Sequence, residues 1–121
     1  MPEDFDDSRL KEAVRLFNNA EWYRAHDALE EIWHETNGVE RRTIQGFLQV
    51  AVAQLHLERG NRTGATILYG EGLGRLRALG TPDLGFDIET FCLCVQERLR
   101  LLQEQGNPDE YGLPVLDLRD D

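Results

Sequence analysis

The sequence holds a single lysine, Lys11, a single serine, Ser8, and two cysteines, Cys92 and Cys94. Each shortage removes a class of chemistry. The cysteines stand two apart on an expected helix and point about 200° away from each other, so they suit neither a disulfide nor a shared metal and read as free buried thiols. No charged start followed by an apolar segment opens the chain, and the longest apolar stretch is interrupted by Gln49, Gln54 and His56. Neither a signal peptide nor a membrane span is therefore expected, and the expected compartment is the cytoplasm. Basic charge is also scarce, with 13 Lys and Arg against 23 Asp and Glu and a formal net charge of -10. Such a surface repels phosphate backbones and anionic membranes, and the only basic run is Arg41-Arg42, so no nucleic-acid and no membrane partner is expected. Excess acid with almost no lysine fits adaptation to high salt, where carboxylates hold water and salt screens their repulsion.

What remains is enough to fold. The 121 residues suit one domain spanning 1–121, and 40% hydrophobic content argues against disorder. Residues 1–7 are acidic and expected to be loose. Ser8 then caps a short first helix with Leu10, Val14 and Phe17 at helical spacing, ending near Asn18-Asn19. A second helix runs from about Glu21 to Thr36 and closes at Asn37-Gly38, and a third runs to Arg59 and closes at Gly60. Asn61 caps a fourth, whose Gly64, Gly70, Gly72 and Gly74 imply either close helix approach or a break near Gly70. Asp87 caps a fifth, with Ile88, Phe91, Val95, Leu99 and Leu102 inward and Arg98 and Arg100 suiting the negative end of its dipole. The tail, 107–121, contains Pro108 and Pro114 and is expected to be non-helical, with Tyr111, Leu113, Val115 and Leu116 lying across the bundle. No segment alternates as a strand. The fold class is all-α: one closed bundle of about five helices around a buried third.

The third helix carries the main functional clue. Ile44, Phe47, Leu48, Val50, Val52, Leu55 and Leu57 point to every side of it, as in a buried helix. One stripe differs, because Arg42, Gln45, Gln49 and His56 fall at nearly the same angle. On the second helix, His26 and Glu30 share a face with Trp22, Leu29 and Trp33, while Arg24, Asp27, Glu31 and Glu35 lie opposite. Buried polar groups need partners, so these two polar spots are expected to meet, giving a candidate cluster of His26, Glu30, Trp33, Gln45, Gln49 and His56.

At this point the residues resemble a known family. The segment FNNAEWYRAHDALEEIW followed by QGFLQVAVAQLHLERGNRTGA is similar to the domain-of-unknown-function family numbered 309, whose pattern is His-Glu-x-x-Glu-x-x-Trp, then a Gln-Gly and His helix, then Gly-Asn and Gly-Ala. The motifs cover about residues 15 to 80. The resemblance implies a closed bundle of about five helices and places His26, Glu30, Trp33, Gln45, Gly46, Gln49, His56, Gly60, Asn61, Gly64 and Ala65 on the pattern. Asp27 stands where the family usually has Glu. The resemblance implies no established activity.

The cluster admits several readings. As structure, it fixes the register of the second and third helices. As a pocket, a carboxylate beside an imidazole poises a general base, with Gln45 and Gln49 orienting a small ligand; no serine or cysteine nucleophile accompanies it. As a metal site, His26, Glu30 and His56 make a two-His, one-carboxylate set for zinc or iron and a small metal-assisted hydrolase. A further reading needs no such chemistry: Trp22, Tyr23 and Trp33 form an aromatic face for a protein partner or a second copy. The sequence favours a cytoplasmic binding or scaffold module built on the His/Glu/Gln cluster, with no cofactor expected, and the small enzyme as the alternative.

Overall fold

The computed structural model describes residues 7–120, so the expectation of a loose start falls almost wholly outside the described residues. The described chain is all-helical, with α1 (Ser8–Asn18), α2 (Trp22–Glu35), α3 (Glu40–Glu58), α4 (Arg62–Leu76) and α5 (Ile88–Gln103). Asp7, rather than Ser8, caps α1: its Oδ1 accepts from the Arg9 N–H at 3.0 Å. The Arg9 side chain also donates to this carboxylate and holds its pKa below the usual carboxylate range. Asn61 and Asp87 cap α4 and α5 by accepting from Gly64 and Thr90. Gly38 and Gly60 close the preceding helices at φ of 83° and 76°, backbone that L side chains rarely adopt.

Short joints make α2, α3 and α4 successive antiparallel neighbours around one hydrophobic cluster. Phe17, Phe47 and Phe91 bring α1, α3 and α5 together, with ring centroids 5.7 and 5.8 Å apart. Trp22 belongs to this core, 4% exposed and edge-on to Phe17. The expected aromatic face is therefore split, because Trp22 points inward, Trp33 is half-buried and Tyr23 is exposed. α4 does not break. Gly72 sits where α4 crosses α3, since a Cβ there would lie 3.2 Å from the Gly46 carbonyl oxygen and from Val50. A Cβ on Gly70 or Gly74 would meet open space, so close approach does not account for those two.

The tail does cross the bundle, held by polar groups as much as by apolar ones. It opens with a single 3-10 turn, Pro108–Glu110. Asn18 then clamps it in both directions, donating to the Leu116 carbonyl at 2.9 Å and accepting from the Leu116 N–H at 2.8 Å. Leu116 and Pro114 are buried, whereas Leu113 and Val115 remain exposed, contrary to expectation, because alternate side chains there face outward; Tyr111, which ends the 3-10 turn, is exposed as well.

Candidate functional site

α3 is buried on most sides and reaches the surface along one strip. At 3.6 residues per turn, Arg41, Gln45, Gln49, Val52 and His56 share that strip, with α2 on one flank and α4 on the other. The flanks are fixed by contacts. The Arg41 guanidinium lies 3.7 Å above the Trp33 ring, and its Nε donates to the Trp33 carbonyl at 3.2 Å. Arg9 of α1 meanwhile approaches Glu31 and Glu35 at 3.6 and 3.1 Å. α2 thus turns Glu31 and Glu35 towards α1, and Trp33, with His26 and Glu30 on the same stripe, towards the α3 strip.

The strip sends its polar groups to α4 rather than to α2. Gln49 is 9% exposed and lies between two side chains of α4: its Nε2 donates to Glu71 Oε1 and its Oε1 accepts from Arg75 Nε, each at 3.0 Å. His56 is engaged at the α3–α4 joint, where Asn61 Nδ2 lies 3.1 Å from its Nδ1. Asn61 Oδ1 accepts from the Gly64 N–H, which leaves its amide nitrogen for the imidazole and places the His56 proton on Nε2. A Cβ at Gly64 would lie 3.0 Å from the His56 ring. The spaced His56, Gly60, Asn61 and Gly64 therefore build a tight turn between helices.

On the α2 flank the arrangement differs. His26 Nδ1 pairs with Asp27 Oδ1 at 3.0 Å rather than with Glu30. Glu30 and Gln45 are half-buried, and no hydrogen bond or ion pair joins the side chain of either to another described residue. The Trp33 indole nitrogen is the one buried side-chain polar atom without a hydrogen-bond partner among the described residues. Nor do His26, Glu30 and His56 converge: no three His, Cys, Asp or Glu side chains among the described residues lie close enough together to hold a metal ion. The expected meeting of α2 and α3 polar groups fails because a helical wheel gives the angle of a stripe without the identity of its neighbour, and the neighbour of Gln49 and His56 is α4.

The most deeply buried polar network lies elsewhere. Arg98 is 0% exposed and donates to the Tyr69 hydroxyl at 2.7 Å, to the carbonyls of Pro108 and Gly112 at 3.1 and 2.6 Å, and to Asp109 Oδ1 at 3.2 Å. Tyr69 in turn donates to Gln54 Oε1. Burial pushes the Tyr69 pKa up to about 12, against the pull of the Arg98 charge. This network ties α3, α4 and α5 to the tail. The thiols of Cys92 and Cys94 are free, and burial raises both above the ordinary thiol range, so they stay protonated at neutral pH.

Two curated relatives align with part of the chain. An uncharacterized protein of Aquifex aeolicus (strain VF5) is 31% identical, the alignment covering 63% of this chain and 29% of the relative. The uncharacterized protein YpuF of Bacillus subtilis (strain 168) is 34% identical, covering 61% of this chain and 44% of the relative. The chain thus spans less than half the length of either. Residues 10–68, from α1 into the first half of α4, match the model of the family whose motifs the sequence resembles, the Domain of unknown function (DUF309).

Proposed function

We propose that the protein is a binding module of the cytoplasm whose docking face is the α2 flank of the α3 strip. One observation carries this reading: the buried indole N–H of Trp33 has no acceptor among the described residues. An unsatisfied buried donor costs about 1–3 kcal/mol, and native proteins seldom retain one without a use. A partner that shifts the half-buried Trp33 ring and places a carbonyl or carboxylate at its indole nitrogen removes that cost. Glu30 and Gln45, one turn further from the α2–α3 joint on the two facing helices, supply an acceptor and a two-way amide for the same partner. Catalysis needs more than the strip offers, since neither thiol is ionised at neutral pH and the two histidines of the candidate cluster, His26 and His56, already hold neighbouring side chains.

The test compares the wild type with Trp33→Phe, which keeps an aromatic ring and removes the donor. The variant should melt at the same temperature or higher, since it loses an unsatisfied group, while the proteins retained by the tagged chain in its native host fall away. Undiminished retention of the same proteins by a folded Trp33→Phe chain would sink the proposal.

A further inference from the structure

The α4 flank of the strip carries a second, separate feature. An open groove of about 380 Å³ is lined by Arg42, Glu71, Gly74, Arg75 and Ala78. Its arginines belong to the half of the chain's twelve that pair with no carboxylate among the described residues. Arg9, Arg15, Arg24, Arg98, Arg100 and Arg119 all lie within 4 Å of a carboxylate, at distances from 2.7 to 3.4 Å. Arg42 and Arg75 form no ion pair with any described residue, although the protein carries a net charge of -10. Arg42 makes one long hydrogen bond, 3.4 Å to the Leu79 carbonyl.

Arg75 is kept from its obvious partner. Glu71 stands four residues before it on α4, the spacing and order at which a carboxylate and a guanidinium normally pair. The Gln49 amide lies between them, accepting from Arg75 Nε at 3.0 Å and donating to Glu71 Oε1 at 3.0 Å. Held through Nε, Arg75 keeps both terminal nitrogens for a ligand, the edge of a guanidinium that grips a carboxylate with two parallel hydrogen bonds. Gln49 is nearly buried and so anchors the pair to the core.

We propose that this groove binds a carboxylate-bearing ligand, with Arg42 and Arg75 on the carboxylate, Glu71 accepting from a donor on the same ligand, and Gln49 as the positioning residue. A phosphate dianion fits less well, because Glu71 adds a negative charge to the groove wall. The carboxylate comes either from a free amino acid or from an acidic side chain of a protein. The site uses nothing of Trp33 and stands or falls apart from the α2 flank.

An NMR titration of the full chain decides it, following the Arg75 Nε–Hε and Gly74 amide signals at low salt. The probes are L-glutamate, a terminally blocked Glu-Glu dipeptide, inorganic phosphate, and sodium chloride at matched ionic strength. Saturable shifts with glutamate would support the site and identify a free amino acid as ligand. Saturation by the dipeptide alone would support it with a protein side chain as ligand. Arg75→Gln should weaken either at least tenfold. Gln49→Ala should weaken it several-fold by letting Glu71 pair with Arg75, and Glu71→Gln in that background should restore binding, which a merely structural Gln49 would not do. Shifts no larger than those from chloride, tighter binding of phosphate, or an unaltered titration of Arg75→Gln would overturn the assignment.

Discussion

A guanidinium removed from water must find its hydrogen bonds inside the protein, and Arg98 finds them in the tail carbonyls, Asp109 and Tyr69. Truncation would leave two carbonyls and a phenol without their donor. Arg98→Ala should therefore lose about 3–5 kcal/mol in urea unfolding. Tyr69 adds a pH dependence with a definite sign. Its phenol ordinarily ionises near 10 and is pushed to about 12 in the fold. The folded state thus keeps a proton that the unfolded chain gives up. The contribution is complete below pH 10 and is lost between pH 10 and 12, on the order of 3 kcal/mol in all. Alkaline melting curves should show that decline, and Tyr69→Phe should flatten it while lowering stability at neutral pH. The pattern Phe91, Val95, Arg98, Leu102 puts Arg98 on the inner face of α5, so its burial was legible. A charge near a helix C-terminus also has a ready surface explanation, and only the tail carbonyls decide between the two.

Among the elements, the α3–α4 pair is set by glycine where backbones cross. A Cβ on Gly46 would lie 2.6 Å from Leu76 Cγ, and one on Gly72 would lie 3.2 Å from the Gly46 carbonyl oxygen. Gly46→Ala should cost about 1–3 kcal/mol by overpacking. Gly70 has nothing within 4 Å of the added carbon, so Gly70→Ala should instead stabilise by about 1 kcal/mol. Paired thermal melts of the two variants check the contrast. The helices themselves were legible because their ends are marked in the sequence. Asn61 and Asp87 start α4 and α5, and Gly38 and Gly60 close α2 and α3. The cap of α1 is Asp7 where the sequence points to Ser8, since both residue types serve and they are adjacent.

For the whole molecule, a net charge of -10 on a chain of 121 residues makes self-repulsion a term in stability. The melting temperature should rise between 0.1 M and 2 M potassium chloride, and a flat or falling curve would remove the salt-adaptation reading. No helix among the described residues is long and apolar enough to cross a membrane. The polar residues of the candidate site were all visible in the sequence, but their partners were not. The angles of Gln49 and His56 follow from helical period alone, whereas which helix covers them depends on how α2 and α4 divide the circumference of α3. The consequence is a strip whose Gln49 and His56 find partners at α4 and the α3–α4 joint, while the Trp33 indole on the α2 side finds none among the described residues. That asymmetry is best tested by placing a photo-crosslinking residue at Gln45 and, as a control, at exposed Leu93 on α5, in the native host. A discrete crosslinked species from position 45, absent from position 93 and lost with Trp33→Phe, is the predicted result. Equal yields at the two positions, or none at 45 from a folded chain, would contradict the docking face.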